Sequence, residues 1–247
     1  MKNIEQWKET KFIFRKGKLR ANTNTHFVSL SSRLVADTVA NHYQQHALTH
    51  FKGKLLDLGC GFVPFYSFYK DQISELTCAD WGNSMHQNSF LDVQCDLNEK
   101  LPFENDSFDS ILLSDVLEHI RKPEELLKEI QRILTNDGVL IMNVPYFYCL
   151  HEEPYDYFRY TEFALKSMVA DAGLNTKVFH QVGGSMEIMT DLFAKNIRSI
   201  PLIGNMGAVI SQKVTWQLLK IPFIRKINKK TSVKFPLGYF LVAQKKS

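Results

Sequence analysis

Asp57-Leu58-Gly59-Cys60-Gly61 follows a short apolar run, Lys54-Leu55-Leu56. Two glycines one residue apart let a chain turn sharply and let a ligand approach the backbone. A dinucleotide-binding turn wants a third glycine, where this chain has Pro64. Proline has no N–H to offer a pyrophosphate, which disfavours a nicotinamide oxidoreductase. Asp57 would repel a pyrophosphate and suits a ligand that presents an ammonium group at the turn. Asp80 ends the next apolar run, 21 residues after Gly59. A carboxylate there can accept hydrogen bonds from both hydroxyls of a ribose. Trp81 follows it and suits an adenine face, and Asp96 suits an exocyclic amine. Each acid alone is compatible with an ordinary turn. Together, three acids at strand ends around a glycine turn outline an adenosine with a cationic tail.

The elements that must position them follow a regular rhythm. Apolar runs at 54–59, 75–80, 108–114, 139–145, 175–182 and 237–244 read as strands, with a weak one closing on Cys95-Asp96. Helical spacing is expected over 28–50, over 123–134 with Pro123 in its first turn, and over a segment capped by Thr161 that stops at Gly173. Asn136-Asp137-Gly138 reads as a turn. Strands alternating with amphipathic helices imply an α/β fold: a doubly wound, mostly parallel, seven-stranded sheet. Ligands of such sheets bind at the carboxyl ends of the strands. The organisation expected is an N-terminal helical cap (1–50), a cofactor-binding core (54–184), a helical insertion (185–235) and a last strand (237–246). The fifty residues of the insertion are too many for a simple loop.

The chain has 247 residues, 45% of them apolar and 23% charged, enough for a full core and too apolar for a disordered chain. Cys60, Cys78, Cys95 and Cys149 form no CxxC pair and show no zinc-ligand spacing. No disulfide framework and no metal are expected. MKNIEQWKETKF lacks the apolar stretch of a signal peptide, and no apolar run reaches spanning length. A cytoplasmic location is expected. The net charge of +4 hides an asymmetry. Residues 1–20 carry +5, and residues 192–247 carry eleven Lys/Arg and no acid, so the middle is strongly acidic. Nucleic acid is not an expected partner, because the basic residues sit at the two ends of an acidic centre. The basic C-terminal part, interspersed with Trp216, Leu218, Ile221, Phe223 and Ile224, suits peripheral contact with an anionic membrane at its inner face, or else a solvated helical face.

The sequence resembles the class I S-adenosylmethionine-dependent methyltransferases, of the type-11-like kind. The resemblance is carried by LLDLGCG, by LPFENDSFDSILLSDVLEHI and by EIQRILTNDGVLIMNVPY, over about 54–146. A narrower resemblance, in GCGFVPF and HEEPYDYFRYTEFAL, is to a bacterial branch often associated with surface-polysaccharide or cell-envelope biosynthesis. The resemblance implies a single methyltransferase domain over 1–247 that uses S-adenosyl-L-methionine. Gly59 and Gly61 would line its methionine portion, and Asp57 would position its amine. Asp80 would take the ribose and Asp96 the adenine amine, with Leu97 packed beside it and Ser114 facing the methionine end. Val63 stands where the broader family often has a third glycine.

Methyl transfer is an in-line displacement, in which the protein mainly aligns the acceptor and shields the site. An oxygen acceptor also benefits from a base near neutral pKa. His119, after the fourth strand, and His151, after the fifth, stand where such a base is wanted; either also suits a structural hydrogen bond. HEEPY is not a zinc HExxH helix, since Tyr155 occupies the second His position. Tyr146, Tyr155, Arg159 and Tyr160 surround His151 in sequence and suit a polar acceptor such as a sugar. The competing reading is a lid packed by tyrosines, with Arg159 paired to Asp156. The expected function is O-methylation of a sugar or glycolipid precursor. The alternatives are a small metabolite or quinone-like lipid as acceptor, or a module that binds the cofactor without catalysis.

Overall fold

The computed structural model describes residues 1–82 and 89–246. Its elements in chain order are β1 (Phe12–Arg15), β2 (Lys18–Ala21), α1 (Arg33–His46), β3 (Lys54–Leu58), α2 (Tyr66–Tyr69), β4 (Glu75–Asp80), β5 (Val93–Gln94) and β6 (Phe108–Ser114). There follow α3 (Pro123–Ile133), β7 (Leu134–Pro145), α4 (Glu162–Asp171), β8 (Leu174–Val182), α5 (Ser185–Ile197), α6 (Gly204–Leu218), α7 (Pro222–Thr231) and β9 (Gly238–Lys245). The main sheet has the order β5-β4-β3-β6-β7-β9-β8. Strands β3 to β7 pair in parallel, and β9 runs antiparallel to both of its neighbours. The expected seven-stranded, mostly parallel sheet is therefore present. Its strand order reverses between β3 and β6, so a crevice opens beyond their carboxyl ends.

The central strands are covered on both faces, which is why they read as continuous apolar runs. On one face α3 places Leu126, Leu127, Ile130 and Ile133 against the sheet, a helical stripe with every member buried. Burying one such Leu or Ile contributes roughly 1.5–3 kcal/mol. Pro123 opens α3, and Glu124 and Glu125 lie in its first turn, where the helix dipole favours acids. The other face buries a second cluster that includes Phe12, Leu19, Tyr43, Phe65 and Tyr69.

Three expectations need correction. The first fifty residues are not wholly helical. Residues 12–21 form a β-hairpin whose turn, Lys16-Gly17, has positive φ at both positions (52° and 70°), as a two-residue hairpin with the right twist requires. Phe12, Leu19 and Ala21 are buried, and the charged residues at 15, 18 and 20 interrupt the apolar signal. The helix starts at Arg33 rather than at 28, and the Leu34 N–H donates to Gln212 Oε1 of α6 at 2.9 Å. The weak third strand is only Val93–Gln94 and ends before Cys95. Strand β7 begins at Leu134 and runs through Asn136-Asp137-Gly138 with an irregular register against β6, so the expected turn is a bulge within a strand. The expected insertion is helical, formed by α5, α6 and α7.

Candidate active site

The chain leaves β3 through a turn that needs left-handed backbone. Gly59 and Gly61 have φ of 73° and 48°. A Cβ on Gly59 would stand 2.5 Å from Val116 Cγ2, so Gly59 is required by packing. Among the described residues a Cβ on Gly61 would meet nothing within 4 Å. Val63 keeps the left-handed conformation at φ 52°, although it is β-branched and fully buried. That costs on the order of 1–2 kcal/mol and preserves the path that a glycine would take.

Asp80, at the end of β4, accepts from the Gly61 N–H at 2.9 Å through one oxygen and from the Trp81 N–H at 2.7 Å through the other. It thereby fixes the glycine turn against its neighbour strand. Asp96 accepts from the N–H and the side-chain amide of Asn98 (2.9 and 3.0 Å), and Asn98 in turn accepts from the Arg121 N–H. These groups border a cavity of about 600 Å³, within the usual range for a small-molecule site. Gly59, Gly61, Asp80, Trp81, Asp96, Leu97, Ser114, His119 and Tyr155 all line it. The Trp81 and Tyr155 rings meet edge to face, 5.2 Å apart.

Four of the named residues lie elsewhere. Asp57 is buried beneath the turn, where its carboxylate accepts from the Tyr69 hydroxyl at 2.9 Å. Burial pushes its pKa up to about 7. Tyr146 packs its ring against Phe147 and Tyr239. Tyr160 is buried and donates to the Leu117 carbonyl at 2.8 Å. Arg159 holds Asp156 through two bonds of 2.5 and 2.7 Å and also donates to the Cys149 carbonyl. Against the cost of burial, Arg159 and the His151 N–H hold the Asp156 carboxyl down at about 2. The segment 146–160 thus carries an internal ion pair. None of these four borders either cavity described here.

Beside the large cavity, a second one of about 280 Å³ runs under α1. The two share Lys11, Phe27, Asp115 and Glu152. The smaller one has apolar walls, including Val35, Val39, Val144 and Val182, and a polar end with Tyr148 and His151. Between the cavities stands a network that the sequence reading missed. Asn143, buried in β7, accepts from the Ser114 hydroxyl (2.8 Å) and the Tyr43 hydroxyl, and its amide donates to Asp115. Asp115 is also bonded to Lys11 at 3.1 Å. A polar residue inside VLIMNVP was the available signal, because a buried amide must find partners.

His119 and His151, distant in sequence, meet edge to face at 4.7 Å. Between them lies Glu118, whose side chain is fully buried. Burial raises the pKa of the Glu118 carboxyl, with His151 and His119 opposing. Burial works against a charged His151, but Glu118 and Asp156 outweigh it and hold its pKa above the ordinary value.

The glycine turn, Asp80 at the end of β4, Asp96 two residues past β5 and a cavity of small-molecule size meet where the strand order reverses, the place at which open α/β sheets bind ligands. The family model of the methyltransferase domain matches residues 56–142. An uncharacterized protein of Methanocaldococcus jannaschii is 33% identical over 104 residues, which are 36% of this chain and 40% of that protein. The match thus spans well under two thirds of that relative's length. Among solved structures, an S-adenosylmethionine-dependent methyltransferase from Mesorhizobium loti superposes with a TM-score of 0.54 at 14% identity, covering 86% of this chain and 100% of the other. The cyclase SpnF superposes with a TM-score of 0.56 at 16% identity, covering 96% and 87%. Residues 56–142 thus match the methyltransferase domain, and the sheet shares its fold with a solved S-adenosylmethionine-dependent methyltransferase. The residues present fit S-adenosylmethionine: among the described residues nothing stands within 4 Å of a Cβ built on Gly61, and Asp80 and Asp96 border the same cavity.

Proposed function

We propose that the protein methylates a hydroxyl oxygen on a sugar or glycolipid precursor. Asp80 would accept from the ribose hydroxyls, and Asp96 and Leu97 would take the adenine. Trp81 and Tyr155 would cover the nucleoside, while the Ser114–Asn143 pair would face the methionine end. Bound S-adenosylmethionine supplies an electrophilic methyl group on a sulfonium. The protein's own task is to bring an acceptor oxygen into line with it and to exclude water. The observation that carries this reading is the pair of adjoining cavities. The larger bears the nucleoside-binding acids, and the smaller joins it at Lys11, Asp115 and Glu152, a polar junction suited to hydroxyl groups. His119 borders the larger cavity and His151 the smaller, so the acceptor's proton would leave beside them. The valine walls favour an acceptor with an apolar part, which suits a glycolipid and also keeps a quinone-like lipid in view as the second reading.

Contact with an anionic membrane belongs to the same proposal. Met206, Ile210 and Val214 of α6 are spaced four apart and are 60%, 51% and 51% exposed, so one face of that helix is apolar and uncovered. Phe193 of α5 and Phe223 of α7 are exposed beside a chain segment rich in Lys and Arg. Among the described residues no helix is long and apolar enough to cross a membrane, so such contact would be peripheral.

The test is to compare the glycans and lipids of cells with and without the protein, then to supply the purified protein with methyl-labelled S-adenosylmethionine and the species that changed. One methylene mass lost from a glycan or glycolipid in the deficient cells, and restored in vitro, is the expected result. Cofactor binding with no transfer to any extract fraction would leave a binding module and reject the proposal.

A further inference from the structure

We infer that Glu118, His119 and His151 form a binding site for a divalent first-row transition-metal cation at the junction of the two cavities. One ligand atom from each residue lies within 4.8 Å of the others. His151 Nε2 is 3.6 Å and His119 Nε2 3.8 Å from Glu118 Oε1, too far for hydrogen bonds. Ligands about 2.0–2.2 Å from a shared tetrahedral ion stand roughly 3.3–3.6 Å apart. Each histidine–Glu118 pair is within a few tenths of an ångström of that spacing, and the two imidazole nitrogens, within 4.8 Å of each other, reach it by a small rotation of the rings.

The ring orientations carry the argument further. His119 Nδ1 faces the Tyr155 carbonyl at 3.0 Å. His151 Nδ1 faces the Cys149 carbonyl at 3.3 Å and the Asp156 carboxylate at 3.2 Å. These neighbours only accept, so each Nδ1 carries the hydrogen. A cation displaces any proton on Nε2, and with Nδ1 protonated the Nε2 lone pair of each ring then faces Glu118. Histidine ligands are commonly set in this way, with the remote N–H anchored on a carbonyl or carboxylate. Among the described residues neither Glu118 oxygen has a hydrogen-bond partner, nor has the buried Nε2 of His119. His151 Nε2 stands 3.6 Å from the same carboxylate, and a cation satisfies all three groups. Two imidazoles and one carboxylate suit a transition metal better than magnesium or calcium. The half-exposed Glu152 carboxylate, 3.9 Å from His119 Nε2, can approach as a fourth ligand.

The cation-binding claim stands on this geometry alone. Its use rests on the O-methylation reading. A hydroxyl coordinated at the junction has a lowered pKa, so its O–H bond breaks and the proton passes to Glu152 or to water. The oxygen then forms the bond to the methyl carbon as the carbon–sulfur bond breaks, and S-adenosylhomocysteine leaves. In the loaded protein both imidazoles are ligands rather than bases. Zinc spacing rules do not find such a site, because Glu118 and His151 come from different connections of the sheet.

The experiment is titration of the chelator-treated full chain with Co²⁺, followed by d–d absorption, and with Zn²⁺ by calorimetry. The background is His46→Ala, because His46 stacks on His180 at 4.0 Å near His42 and offers an unrelated surface site. One saturable site is expected, weakened at least tenfold by Glu118→Gln and by His151→Ala. The second variant keeps the test open if the first does not fold. No saturable binding, or binding unchanged in both variants, overturns the inference and leaves the methyltransferase reading intact. Metal binding without methyl transfer overturns that reading and leaves the site.

Discussion

Replacing Asp80 by Ala removes a carboxylate that borders the large cavity and also holds the glycine turn through the Gly61 N–H. A carboxylate can accept about four hydrogen bonds, so fixing the turn does not prevent it from accepting from a ligand. A hydrogen bond to a charged group contributes about 1.5–3 kcal/mol. Losing one ribose contact of that strength weakens cofactor binding by roughly 12- to 150-fold. Asp80→Asn separates the two roles, since its amide oxygen can still accept from Gly61 while the charge is gone. The assay is calorimetry with S-adenosylhomocysteine, alongside urea melts of the unliganded variants. The specific check is a cycle with 2′-deoxy and 3′-deoxy analogues. These should bind the wild type more weakly than the parent compound, yet lose little further affinity in Asp80→Ala. A folded Asp80→Ala with unchanged affinity, or analogues that lose equally in both proteins, would refute the ribose assignment.

The two glycines of the turn should respond differently to alanine. Both substitutions strain a left-handed backbone, and Gly59→Ala also collides with Val116, so it should lower stability in urea melts more than Gly61→Ala does. Gly61→Ala should show the larger loss of cofactor affinity for its loss of stability, and equal effects of the two on both measurements would contradict the geometry. Asp57 has a folded pKa of about 7 against an ordinary 3.8, so the native state holds its proton more tightly than the unfolded chain. Its contribution is therefore full below about pH 4 and is lost as pH rises toward 7, by an upper order of 4 kcal/mol. Asp57→Asn should remove that slope, and parallel pH–stability profiles for the two proteins would sink the assignment. The exposed face of α5–α7 should sediment with anionic but not zwitterionic vesicles. Each basic residue near the surface adds roughly 1 kcal/mol, so neutralising Arg225, Lys226, Lys229 and Lys230 together, or raising the salt, should release it. Absence of sedimentation at low salt would mean that the basic run is only solvated.

What was legible in the sequence shares one property: it depends on positions close along the chain. A strand end is marked by where an apolar run stops, so Gly59, Gly61, Asp80 and Asp96 could be placed at one edge before any contact was known. The hairpin at 12–21 escaped because each strand has only four residues and its outward positions are charged, which breaks the run without breaking the strand. Over 146–160, Tyr155 borders the large cavity while Tyr146, Arg159 and Tyr160 do not. Aromatics and an arginine do suit a polar acceptor, but composition does not say which way a side chain faces. Arg159 lies three residues from Asp156 and finds it locally, and Tyr160 turns inward to the Leu117 carbonyl.

The least legible part depends on two loops closing on each other. The N–H groups of Tyr157 and Phe158 donate to the Glu118 carbonyl at 3.0 and 3.2 Å, which ties the segment 146–160 to the short turn after β6. The Arg159–Asp156 pair then places the Asp156 carboxylate against His151 Nδ1, and the Tyr155 carbonyl takes up His119 Nδ1. The residues that looked like substrate ligands thus aim the two imidazoles at a carboxylate thirty-three positions upstream of His151. Loosening the Arg159 pair should therefore disturb the imidazoles before it disturbs the large cavity. Arg159→Lys keeps the charge but not the paired donors. It should therefore lower turnover while leaving cofactor affinity within about twofold, within the scatter of independent sites. A matching loss of both would place Arg159 in the fold of the whole domain rather than in the setting of the junction.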